Sequence, residues 1–200
     1  MADNVLLIAC GALARELVAL TRQNQWRHLK IQCLPAELHN TPQTIPAAVT
    51  ATIEKYKDEY RHIFVAYADC GTGGLLDKAL AKYGIERLPG AHCYDFYAGN
   101  SVFQEISQAE PGTFYLTDFL VRHFDRLIIE GLGIDRHPEL KSVYFANYRR
   151  VVYLAQTHSA DLAARAREYA DFLGLDYAER HTGIGNVEKI LEEQAIVWRN

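Results

Sequence analysis

Apolar runs of four to six residues alternate along this chain with stretches in which apolar side chains return every three or four positions. Residues 5–9 form an unbroken apolar run, as expected of a strand buried on both faces. Residues 12–23 then carry Leu13, Leu17 and Leu20 on one helical face. Leu29–Leu34 reads as a second strand, carrying Cys33, and the Thr41-Pro42 pair opens a helix to about Tyr60, with Ile45, Val49, Ile53 and Tyr56 at helical spacing. Residues 63–68 make the most strand-like segment, followed by a helix over 75–83 that Gly84 closes and a short strand at 85–88.

The pattern changes between Tyr94 and Tyr148. Residues 114–129 predict one long helix with Phe114, Leu116, Phe119, Leu120, Phe124 and Leu127 apolar, so 94–148 is expected to be a mainly helical insertion or lid. Strand character returns at 151–155, an Ala-rich helix follows over 161–173 with Gly174 as its cap, and 176–180 is an edge strand before a helix from Asn186. Strands separated by helices of this length define an α/β fold: a Rossmann-like open, mostly parallel sheet flanked by helices, with the helical insertion. Without a repeat, low-complexity tract or linker, residues 1–200 are expected to form a single domain.

Composition narrows the function classes. A net charge of −4 and the lack of a basic run give no footprint for nucleic acid. No segment approaches the ~20 apolar residues of a membrane helix, and Met1-Ala-Asp-Asn passes at once into a run too short for a signal-peptide core. A cytoplasmic protein is therefore expected, in which the four cysteines are thiols or metal thiolates rather than structural disulfides.

Three of those cysteines stand where a strand runs out into a loop: Cys10 before Gly11, Cys70 before Gly71, and Cys93 after His92. In an open parallel sheet the carboxyl ends share one edge, where ligands bind. Cys10, Cys70 and Cys93 could thus meet, as a soft site for catalytic zinc with one position open or for an iron–sulfur cluster. His92 is a possible fourth ligand, although adjacent residues in extended chain point to opposite sides. Cys33, inside an apolar strand, reads as a small core residue.

The loop Asp69-Cys-Gly-Thr-Gly-Gly74 joins a strand to a helix. Gly71, Thr72, Gly73 and Gly74 could hold a phosphate or carboxylate on backbone N–H groups, or form a tight turn capped by Thr72. The same N–H groups would favour the Cys70 thiolate, which allows a metal-free alternative: Cys70 as nucleophile with His92 or His158 as base. Asp118 is expected on the long helix, paired one turn on with Arg122.

Five blocks together resemble the DUF1638 family of unknown function: Ile8-Ala-Cys-Gly-Ala-Leu-Ala-Arg-Glu16, Asp69-Cys-Gly-Thr-Gly-Gly74, Gly90-Ala-His-Cys-Tyr94, Gly112-Thr-Phe-Tyr-Leu-Thr-Asp-Phe-Leu120 and Tyr153-Leu-Ala-Gln156. Cys10, Cys70, His92 and Cys93 fall inside these blocks and Cys33 outside them. Members are reported near genes for corrinoid-dependent methyltransferases of methylated amines, so the resemblance implies a role beside methyl transfer by association alone.

Three functions follow as expectations. The first is a metal-thiolate enzyme or accessory factor in one-carbon metabolism, with zinc (or an iron–sulfur cluster) on Cys10, Cys70 and Cys93 and a small thiol or anion as ligand. The second is the metal-free enzyme built on Cys70. The third is a non-catalytic partner of a corrinoid or methyltransferase protein.

Overall fold

The computed structural model describes residues 5–198. The chain forms two compact units: Met1–Cys93 with Glu188–Asn200, and Tyr94–Val187. Each contains a three-stranded parallel sheet flanked by helices, so the fold is open α/β and Rossmann-like. No helix among the described residues is long and apolar enough to cross a membrane.

In the first unit β1 (Val5–Cys10), β2 (Leu29–Leu34) and β3 (His62–Ala66) lie in the order β2-β1-β3. Every residue of β1 is buried because the strand is central and covered on both faces, as its unbroken apolar run implies. Three helices belong to this unit before the second begins: α1 (Ala14–Gln23), α2 (Ile45–Tyr56) and α3 (Leu75–Ala81). β1 sits between its neighbours: the chain runs from it to β2 on one side and then crosses back to β3 on the other. That reversal makes the carboxyl ends of β1 and β3 the topological switch point of this sheet, the position where open α/β sheets generally bind their ligands.

Residues 85–88, expected as a strand, contribute an isolated parallel bridge between Val65 and Arg87. The pairing continues past β3. Leu88 donates its N–H to Val65 O at 3.0 Å, Asp69 to Gly90 O at 3.1 Å and Cys70 to Ala91 O at 2.8 Å. Arg87 reinforces the segment with a paired contact to Asp77 at 2.7 and 2.8 Å and a bond to Leu88 O at 2.7 Å. Residues 88–93 are thereby laid alongside the exit of β3.

The second unit opens with α4 (Tyr94–Ala98) and α5 (Asn100–Ala109). Next comes β4 (Thr113–Thr117), where the sequence predicted the start of a long helix. The correction has a plain cause: Leu116 has helical spacing to Phe119 and Leu120, but Phe114 and Leu116 share a face only at the two-residue period of a strand, and Thr-Phe-Tyr-Leu-Thr is rich in β-branched and aromatic residues. The helix is cut down to α6 (Asp118–Arg122) and a π-helical turn at Asp125–Glu130. The stretch 94–148 therefore contributes a strand of its own sheet. After α7 (Leu140–Tyr144) come β5 (Arg150–Ala155), α8 (Ala160–Leu173) and β6 (Asp176–His181), giving the order β4-β5-β6; α9 (Gly185–Trp198) follows and from Glu188 onward belongs to the first unit. β5 is central and feeds two cores. Val151, Tyr153 and Ala155 join Leu116, Phe124 and Leu162 on one face, while Val152 and Leu154 join Phe103 and Ile106 on the other.

Candidate metal centre

Cys10 ends β1, and its backbone lies in register with Leu34 at the end of β2. The chain turns sharply beyond both strands. A side chain at Gly11 would place its Cβ 3.0 Å from Leu34 O, a tight contact with backbone that glycine avoids where the two exits run close. From β2 the chain enters a short 3₁₀ turn, Ala36–Asn40, which delivers His39 back over the sheet edge. The His39 ring lies parallel to that of Tyr67, with centroids 6.0 Å apart and planes 14° apart. Tyr67 follows β3 and is fully buried.

Cys70, three residues further on, is a non-glycine residue with φ of +49°. A left-handed conformation at a side-chain-bearing residue costs on the order of 1–2 kcal/mol. It re-aims the Cys70 thiol, which meets Cys93 with the two Sγ atoms 3.1 Å apart. One ring nitrogen of His39 and the Sγ atoms of Cys70 and Cys93 all lie within 4.8 Å of one another. Cys10 stands beside this group, its Sγ 3.7 Å from His39 Nδ1 and accepting the Ala12 N–H at 3.3 Å.

Donor chemistry suits a metal. His39 Nδ1 is 3.2 Å from Ala36 O, which can only accept, so Nδ1 carries a proton and Nε2 is the nitrogen whose proton a cation would displace. Backbone carbonyls commonly fix metal-ligating imidazoles in this way. Cys93 beside it, reinforced by burial, pushes the Cys70 pKa up, and His39 opposes this only in part. Burial pulls the His39 pKa down, but hydrogen bonds with Cys10 and Cys70 outweigh that and raise it to about 10. The cluster thus holds protons tightly, which is how converging soft donors behave until a cation replaces the protons. The Tyr67 hydroxyl lies among the same groups. It is buried without a hydrogen bond of good geometry, and burial pushes its pKa up, with Cys10 and Cys93 adding to the rise.

Of the residues singled out from sequence, Cys70 and Cys93 are brought together and Cys10 is placed next to them. His92 is exposed on the turn before α4 and is not one of the convergent donors. His158 belongs to the second unit, where its ring stacks on His181 at 3.6 Å. Cys33 is half-buried on β2, opposite Ala9. His39 is the residue that sequence reasoning missed, although the strand-end rule applied to β2 leads to its loop.

The glycine loop is spoken for from within. Asp69 accepts Thr72 Oγ1 at 2.7 Å, Gly74 N–H at 2.8 Å and Gly73 N–H at 3.0 Å. Burial pushes the Asp69 pKa up, but Thr72 and these two N–H groups hold it below the usual carboxylate value. Two of the donors expected to meet an external anion are thus used by the protein's own carboxylate; α3 starts from Gly74 as its N-cap, and Thr72 Oγ1 accepts the Leu76 N–H at 3.4 Å.

Asp118 occupies the corresponding edge of the second sheet, directly after β4. It is buried and accepts Thr157 Oγ1 at 2.5 Å, Tyr153 Oη at 2.6 Å and Gln156 N–H at 3.0 Å. Arg122 is its ionic neighbour at 3.8 Å, as expected from sequence. Burial, followed by Asp118, pushes the Tyr153 pKa up. Every oxygen of this carboxylate is used, so the network ties β4 to β5.

Fold and site define an α/β protein with a histidine–cysteine centre at a sheet switch point. The chain belongs to the DUF1638 family of proteins of unknown function, whose model matches residues 33–191. The match contains His39, Cys70 and Cys93, whereas Cys10 and the block around it precede the matched residues. Neither a curated protein nor a solved structure matches the chain.

Proposed function

We propose that this protein is a zinc protein whose ion is held by His39, Cys70 and Cys93 and whose fourth position accepts a small thiol. The observation that carries the reading is the convergence of one imidazole nitrogen and two thiols within 4.8 Å. Tetrahedral donors at zinc, with Zn–S near 2.3 Å and Zn–N near 2.0 Å, lie about 3.5–3.8 Å apart. The cluster therefore needs only small side-chain movements to enclose one ion. Three protein ligands with one open position is the pattern of catalytic zinc, and mixed nitrogen and sulfur donors suit it. An iron–sulfur cluster is the less fitting alternative, since it takes mostly thiolate ligands spread around several irons.

Zinc would supply Lewis acidity that keeps a bound thiol ionised near neutral pH. The chain's own residues do the rest. Ala36 O orients His39, Cys10 stays within hydrogen-bonding reach of Nδ1, and the buried Tyr67 hydroxyl offers a donor to a ligand at the open position. An ionised thiol is the nucleophile that alkyl transfer requires, which fits the methyl-transfer setting that the family resemblance implies.

Cobalt(II) in place of zinc tests this reading. One equivalent should give the visible absorption of a tetrahedral ion with thiolate ligands, and 2-mercaptoethanol should shift those bands. Absence of bands would remove the metal site. Bands indifferent to thiol would mean a closed structural centre, with Cys10 as the fourth ligand.

A further inference from the structure

We propose that Cys70 and Cys93 are a reversible disulfide pair, a modification site for hydroperoxides whose oxidised form excludes metal. The exclusion of metal rests on the metal reading above; the pairing itself does not.

The geometry is already near that of the bond. The Sγ atoms are 3.1 Å apart, inside ordinary sulfur contact and about 1 Å from a bonded S–S distance of ~2.05 Å. Their backbones are tied together independently of the thiols: Cys70 N–H donates to Ala91 O at 2.8 Å and Asp69 N–H to Gly90 O at 3.1 Å. Closing the bond therefore needs side-chain rotation more than backbone movement. The competing pairs are less well placed. Cys33 is in register with Ala9, so its side chain and that of Cys10 point to opposite faces of the sheet. Cys10 is engaged by Ala12 N–H and His39 and is not in the group of donor atoms that lie within 4.8 Å of one another.

Exposure assigns the roles. Cys93 is half-buried and Cys70 buried, so peroxide reaches Cys93 first. The Cys93 thiolate attacks the peroxide oxygen and becomes a sulfenic acid, while the O–O bond breaks and the departing alkoxide or hydroxide takes up a proton. Cys70 then attacks Cys93 Sγ, the S–O bond breaks, and the hydroxide leaves as water with the Cys70 proton. In sum, two thiols and one hydroperoxide give a disulfide, an alcohol (or water) and water. Disulfide sulfur is no longer a thiolate ligand, so two of the three proposed donors are lost together.

The test treats zinc-loaded and chelator-stripped full-length protein with hydrogen peroxide. Peptide mapping reads the linkage and a zinc-sensitive dye reads release. Stripped protein should form the Cys70–Cys93 linkage, reversibly with dithiothreitol, and zinc-loaded protein should do so about tenfold more slowly. One zinc should leave per disulfide formed. Cys93→Ser should abolish the linkage and Cys33→Ser should leave it intact. Sulfinic acid at Cys93 without a linkage, or a linkage through Cys10, would overturn the pairing. A linkage formed with zinc retained would overturn the exclusion. Protein that takes up no zinc yet forms the linkage would sink the metal reading and uphold the pair.

Discussion

The two sheets share a plan, three parallel strands with polar side chains gathered at the carboxyl edge, yet the two edges are finished in opposite ways. In the second unit Asp118 receives two hydroxyls and a backbone N–H, and Gln156 answers by accepting the Asp118 N–H at 2.8 Å. Such a network spends both carboxylate oxygens within the protein and ties β4 to β5. In the first unit His39, Cys70 and Cys93 converge without saturating one another, and Tyr67 brings a buried hydroxyl with no well-formed bond. Buried polar groups are costly when left unpaired, and those that persist call for an explanation. The contrast is between a carboxylate whose oxygens are both spent within the protein and a group of donors that could hold a metal ion.

The largest expected effect is a complete one. Cys70→Ser should abolish stoichiometric zinc while leaving the far-ultraviolet circular dichroism spectrum intact; retention of zinc would break the contrast. Asp118→Ala should do the reverse. It strands the donors of Tyr153, Gln156 and Thr157, so unfolding free energy should fall by about 3–5 kcal/mol, read by urea denaturation, with zinc content of the folded protein unchanged.

A third effect concerns pH. His39 has a folded pKa raised from 6.5 to about 10, so folded metal-free protein binds the extra proton across that window. The stabilisation is fully present below pH 6.5 and fades as pH rises toward 10. Cys93, reinforced by burial, raises the Cys70 pKa from its ordinary value of 9.0, so above pH 9 this acts in the same direction. Thermal stability of chelator-treated protein should decline over this range, and less so in His39→Asn. Zinc affinity should move oppositely and strengthen with pH, because binding displaces protons. The smallest effect is expected for Tyr67→Phe: thiol binding to the cobalt-loaded protein should weaken about tenfold, with little change in stability since no well-formed hydrogen bond is lost.

Much of the first unit was legible in sequence, because a central strand covered on both faces must be apolar throughout, as residues 5–9 are. The glycines that free the chain at strand exits marked Cys10 and Cys70 in the same way. β4 was obscured because Leu116 also has helical spacing to Phe119 and Leu120 further on, and pairing with β5 decides for the strand. His39 was hidden for a different reason. It lies five residues beyond β2, on a 3₁₀ turn whose sequence, Ala-Glu-Leu-His-Asn, carries neither glycine nor cysteine to signal an edge. The Asp69 carboxylate inside its own glycine loop was equally illegible, since an external anion and an internal one ask for the same N–H groups.

Zinc content of wild-type, His39→Ala and Cys10→Ser protein, measured by elemental analysis on anaerobically purified folded material, bears most directly on the central claim. The account predicts about one zinc per chain in wild type and in Cys10→Ser, and none in His39→Ala. Metal-free wild type, or zinc that survives the loss of His39 but not of Cys10, would contradict it.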